Sequence, residues 1–76
     1  KNKRRAFMKL SARNQLKGTI KEIENGAVNA IVKLDIGGGN IISATISMDA
    51  VKSLNLAVGK EAYAVIKSTS VMVGVE

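Results

Sequence analysis

The chain has 76 residues, 46% of them apolar and 3% aromatic, with no cysteine, histidine, tryptophan or proline and a formal net charge of +6. That length supports one domain with one core, and the missing residue types exclude disulfides, thiolate or imidazole metal sites, and nucleophiles or bases built on Cys or His. A domain this small buries only about 60% of the surface its unfolded chain exposes, so self-association is the remaining means of securing it.

The charge is unevenly placed. Lys1, Lys3, Arg4 and Arg5 hold four of the twelve basic side chains, and from Met8 onward eight basic residues face six acidic ones. Residues 1–7 read as a basic tail or linker that buries almost nothing, and residues 8–76 as a near-neutral folded domain for which Met8-Lys9-Leu10 is a natural start. Apolar runs fall far short of the roughly 20 residues that span a bilayer, no signal-peptide pattern is visible, and the lack of cysteine agrees with a cytoplasmic protein.

Along the chain, Leu16, Gly18, Ile20 and Glu22 alternate with Lys17, Thr19, Lys21 and Ile23, predicting a strand with an imperfect polar face. Asn25-Gly26 then predicts a two-residue hairpin turn, because both residues tolerate positive φ. Val28, Ala30, Val32, Leu34 and Ile36 recur at period two and form the clearest inward row of a second strand. Gly37-Gly38-Gly39-Asn40 predicts a second hairpin into the β-branched run Ile41 to Ser47. Met48 to Leu54, with Ser47 and Asp49 at its start, predicts one short helix that plugs an end of the domain.

After Gly59, Ala62, Ala64 and Ile66 alternate with Tyr63, Val65 and Lys67. Ser68-Thr69-Ser70 interrupts as a polar bulge or turn, and Val71 to Val75 resumes. Five short strands with one helix before the fourth describe an all-β domain, a small five-stranded barrel of the oligonucleotide/oligosaccharide-binding kind, assembling as an oligomer.

No side-chain set suits catalysis. Lys67 and Ser68 are adjacent, but strand neighbours point to opposite faces and do not share one site. The glycine run has no Lys-Ser/Thr after it and opens no helix, so it is a hairpin loop and not a phosphate cradle. Single-stranded nucleic acid needs stacking aromatics in a basic groove; the two aromatics here are Phe7 and Tyr63, and the folded part is near neutral. Two clusters of donors stand out instead: Leu10-Ser11-Ala12-Arg13-Asn14-Gln15-Leu16 before the first strand and Lys67-Ser68-Thr69-Ser70 after the fourth. Directed N–H and O–H donors with modest positive charge suit a desolvated dianion, although either cluster also serves as a plain solvent-exposed strand entry or turn.

The run Ser11-Ala12-Arg13-Asn14-Gln15-Leu16-Lys17-Gly18 resembles the opening motif of the molbindin family, whose fold is also known as the Mop or TOBE domain. Asn25 to Ala30, Ile36 to Ile46 and Ala64 to Val73 resemble family segments in the same order, so the resemblance covers Met8 to Glu76. It implies binding of molybdate or tungstate as the oxyanion, with no organic cofactor, no directly coordinated metal and no enzyme activity. It also implies a homo-hexamer, a trimer of dimers, with the ions at subunit interfaces and the donor clusters coming from different subunits.

Transferred residue by residue, the site comprises Ser11, Arg13, Ser47, Lys67 and Ser68, with Ala44, Thr45 and Met48 as alternatives to Ser47 through backbone atoms. The smaller sulfate is expected to fit less well than molybdate or tungstate. The implied function is intracellular storage and buffering of the ion. The alternative is the ligand-sensing domain of a molybdate-responsive transcription regulator or of a molybdate-transporter ATPase, which a basic linker at residues 1–7 would suit.

Overall fold

A computed structural model of the chain describes residues 11–76; the basic tail expected at residues 1–7 and the start expected at Met8 lie outside the described residues. Four strands, β1 (Asn14–Asn25), β2 (Asn29–Gly37), β3 (Asn40–Ser47) and β4 (Glu61–Ile66), form one antiparallel sheet in the order β3-β2-β1-β4, and the helix α1 (Met48–Ser53) lies between β3 and β4 in sequence. This is the expected all-β, barrel-like architecture with one short helix, but the strand count is four and not five. Val71–Val75 pairs with none of the described strands. A one-turn 3-10 helix, Ser68–Ser70, follows β4 in place of a hairpin reversal, so the chain is not returned along β4's free edge, and a segment this short needs a partner edge to become a strand.

The curl of the sheet originates in β1, which pairs with β4 through Asn14–Thr19 and with β2 through Thr19–Asn25. A bulge between Ile20 and Glu22 marks the changeover. There the Ile20 N–H donates to the Lys60 carbonyl at 2.9 Å and the Gly59 N–H to the Ile20 carbonyl at 2.8 Å. The extra residue explains the imperfect alternation in the sequence. It turns Ile23 toward the core beside Ile20 and leaves Glu22 outside, reversing the faces expected for this pair.

Ala30, Val32 and Leu34 form the predicted inward row of β2 and, with Ile20 and Val51 of α1, make the buried core. Val28, expected in that row, is 72% exposed because it belongs to the turn before β2. The turn itself differs from the expectation. Asn25 pairs with Ala30, so the loop is longer than two residues, and neither Asn25 nor Gly26 has positive φ. Gly26 is required for another reason: a Cβ there would lie 2.6 Å from the Asn29 carbonyl oxygen. The two-residue turn with positive φ at both centres is instead Gly38-Gly39, at 63° and 80°, between the paired residues Gly37 and Asn40.

Gly18 marks a second close approach, at the point where β1 passes over β2. A Cβ at this position would stand 2.7 Å from the backbone oxygen of Asp35 and 3.0 Å from Ile36 Cγ2. Since backbone cannot yield as a side-chain tip can, Gly18→Ala is expected to destabilise the domain by about 1–3 kcal/mol. Urea denaturation measures this, and an unchanged midpoint would show that β1 shifts freely here.

The helix is defined at both ends. Ser47 is its N-cap, its Oγ accepting from the Ala50 N–H at 3.0 Å. At the other end Asn55 takes the left-handed conformation at φ 56°, the Asn55 N–H donates to Lys52 O and the Leu56 N–H to Val51 O. This is a Schellman closure with Asn in the place glycine usually fills. Lys60 Nζ adds bonds to Asn55 O at 2.7 Å and Leu54 O at 3.4 Å. The capped helix lays Val51 and Leu56 against the core, which is the plug expected from the sequence.

β3 and β4 are the two edges of the sheet and do not pair. Between them runs a cleft of about 450 Å³ whose floor and walls include Ile20, Val32, Leu34, Ile46, Leu56 and Ala64.

Candidate functional site

The two donor clusters, which the family resemblance would draw from different subunits, adjoin within one chain. Asn14 pairs with Ile66, so Ser11–Arg13 and Lys67–Ser68 leave adjoining strands at the same end of the sheet. Ala12 is buried between exposed Ser11 and exposed Arg13, an anchor that leaves the hydroxyl and guanidinium outside. Lys67 is extended, at φ −65° and ψ 142°, and caps the 3-10 turn in which the Ser70 N–H donates to Lys67 O at 2.9 Å. Lys67 and Ser68 are both exposed.

Two amides clasp this end together. Asn14 Nδ2 donates to Ile66 O at 3.3 Å, tying the first cluster to the strand that leads into the second, and Gln15 Nε2 donates to Ala12 O at 3.2 Å, tightening the entry to β1. Sequence reasoning placed both among the donors and missed this clasping role. The signal was available in part: Asn14 is a polar residue with the same parity as Ile20, the buried residue of β1.

The charge pattern suits an anion. Among the described residues the ion pairs are Lys17 with Glu61 at 3.2 Å and Lys33 with Glu24 at 3.4 Å and Glu22 at 3.8 Å. Arg13 and Lys67 take part in none of them. Two cationic residues and two hydroxyl residues thus lie on adjoining segments, with neither cation in an ion pair among the described residues. No group of three or more His, Asp or Glu side chains that could hold a metal ion occurs among the described residues.

Ser47 is not brought to this end within one chain. It pairs with Asn29 at the start of β2, two strands from β1, and β2 begins opposite the end of β1 remote from Asn14. At about 3.3 Å per residue, the length of β1 separates the two ends by on the order of 30 Å. The Ser47 hydroxyl already accepts the cap bond, which leaves its O–H free to donate. Ala44 and Met48 are half-buried and Thr45 exposed on the same segment.

The TOBE domain model matches residues 10–73. A probable molybdenum-pterin-binding protein of Haemophilus influenzae is 74% identical over 69 residues, covering 91% of this chain and all of the relative. Among solved structures, MopII from Clostridium pasteurianum superposes with a TM-score of 0.82 at 48% identity, covering 88% of this chain and 100% of that one. The cytoplasmic molybdate-binding protein ModG, in a form with molybdate bound, gives a TM-score of 0.77 at 51% identity over 80% of this chain and 43% of that one. The Haemophilus relative and ModG are named as binding proteins. By family model, by sequence and by fold, the chain belongs to the TOBE domain family and, within it, to the molbindins that bind molybdate.

Proposed function

We propose that this chain stores and buffers molybdate or tungstate in the cytoplasm as the bare oxyanion, without catalysing a reaction, at interfaces of a homo-hexamer arranged as a trimer of dimers. The observation that carries the reading is that the segments carrying Ser11 and Arg13 and those carrying Lys67 and Ser68 leave adjoining strands at one end of the sheet, with neither cation in an ion pair among the described residues. A tetrahedral dianion only accepts hydrogen bonds, and donors with modest positive charge meet that need. The absence of an organic cofactor follows the same chemistry, since a pterin ring calls for aromatic faces and the chain has only Phe7 and Tyr63.

The assembly is supported by two complementary surfaces. Val71–Val75 is strand-forming in composition, with Met72 and Val73 each 92% and Val75 94% exposed. The cleft between β3 and β4 is apolar and bordered by two free strand edges. A second copy's tail, laid in this cleft, would complete the fifth wall of the barrel and hide both. Ser47 then reaches the ion from a neighbouring copy, consistent with its distance from Arg13 within one chain.

Titration calorimetry with molybdate, using sulfate as control and a sample whose mass is fixed by light scattering, tests the reading. Tight, selective binding to a hexamer is expected; no heat with either ion from a folded oligomer would refute it. Ser47 is tested separately from its cap. Ser47→Asp keeps an N-cap acceptor but places a negative charge where a donor is required, so helix stability is expected to hold while molybdate affinity falls at least tenfold. Ser47→Ala is expected to cost about 1 kcal/mol of stability through the lost cap. Undiminished affinity in the Asp variant would remove Ser47 from the site.

A further inference from the structure

We propose that oxyanion occupancy governs how firmly the copies hold together, so that the bound ion acts as a latch on the exchanged tail. This rests on the binding reading above and concerns the regulation of the same site.

The latch is built into the connection between Lys67 and the tail. Lys67 and Ser68 carry the donors, and one 3-10 turn later the tail begins at Val71. Two backbone bonds, Ser70 N–H to Lys67 O at 2.9 Å and Val71 N–H to Ser68 O at 3.3 Å, set the direction in which the tail leaves. Arg13 stands on the adjoining segment, held to β4 through the Asn14 bond to Ile66 O. With no ion bound, Arg13 and Lys67 are like charges on neighbouring segments with no described carboxylate in ion-pair contact, and the turn is restrained by its own two bonds alone. A dianion accepting from Arg13, Ser11, Lys67 and Ser68 draws the two segments together. It thereby fixes the turn from which the tail crosses to the next copy.

Linkage makes the effect reciprocal: if assembly completes the site, the ion stabilises the assembly by the same factor. A site that neither takes a group from a neighbouring copy nor fixes the turn before the tail would show no such coupling. The two arrangements therefore differ in a measurable quantity.

The test uses the full chain in a fixed urea concentration that half-dissociates the ion-free oligomer, its mass followed by sedimentation during dilution. With molybdate at 100 times the Kd found by calorimetry, the dissociation constant of the assembly is expected to fall about 100-fold for each ion given up on dissociation, moving the half-dissociation point to lower protein concentration. Sulfate at equal ionic strength is expected to leave it within about twofold, and Lys67→Ala, an exposed position, to shrink the molybdate effect. Binding by calorimetry with an unmoved midpoint would overturn the latch and leave molybdate binding intact. A chain that stays monomeric with molybdate bound would overturn it equally, and no calorimetric heat would overturn both readings.

Discussion

Arg13→Ala is expected to lower molybdate affinity by on the order of 100-fold or more while leaving the unfolding midpoint of the ion-free protein where it was. The guanidinium presents several N–H groups in a rigid fork, suited to two acceptor oxygens at once, and each charge-assisted hydrogen bond contributes about 1.5–3 kcal/mol. Two such bonds correspond to roughly 3 kcal/mol or more, and each 1.4 kcal/mol is tenfold in Kd. Stability is expected to hold because Arg13 is exposed and joins none of the described ion pairs. Arg13→Lys is the sharper control, since it keeps the charge and loses the fork. Calorimetry on the three proteins measures the effect, and equal affinities across them would move the site elsewhere.

The second large effect concerns the tail. Truncation after Ser70 is expected to convert the assembly to monomer at micromolar concentration while leaving β1–β4 and α1 folded. Val71, Met72, Val73 and Val75 are the apolar side chains removed, and burying each of them against a partner contributes up to about 1.5–3 kcal/mol, less the cost of ordering the segment. None of the four belongs to the buried core of its own chain, so the loss falls on association and not on the fold. Light scattering reports the mass and circular dichroism the strand content. A truncated protein that keeps its oligomeric mass would show that the tail is not what holds the copies together.

Much of this fold is legible in the sequence because period-two hydrophobicity is a local signal. Ala30, Val32 and Leu34 announce an inward row and occupy it, and Ser47 announces and forms a helix cap. The failures lie where one residue's conformation depends on a distant neighbour. The bulge at Lys21 appears in sequence only as a blurred alternation, since what produces it is the change of partner strand from β4 to β2. Asn25-Gly26 fits the usual turn chemistry, yet Gly26 is required by the nearby Asn29 carbonyl, and the tight turn forms at Gly38-Gly39. Val71–Val75 has the composition of a strand but finds no edge within its own chain.

The candidate site was legible only as two polar clusters more than fifty residues apart. Their meeting depends on the Asn14–Ile66 register, which neither cluster encodes alone. Ser47 entered through family resemblance, and the topology of one chain sets it apart from the other four residues. Composition pointed the same way as the assembly reading from the outset, because so short a chain without disulfide or metal has few other ways to hide its apolar surface.

The two unpaired edges also constrain the symmetry of any larger particle. A copy that gives its tail to one neighbour and receives one from another, in open succession, always leaves a terminal gap and a terminal tail, and so grows as a filament. Reciprocal exchange between two copies consumes both gaps and both tails at once, and leaves no apolar edge on which a third chain could template itself. Twofold closure is thus the arrangement in which this barrel's missing wall does not become a seed for aggregation.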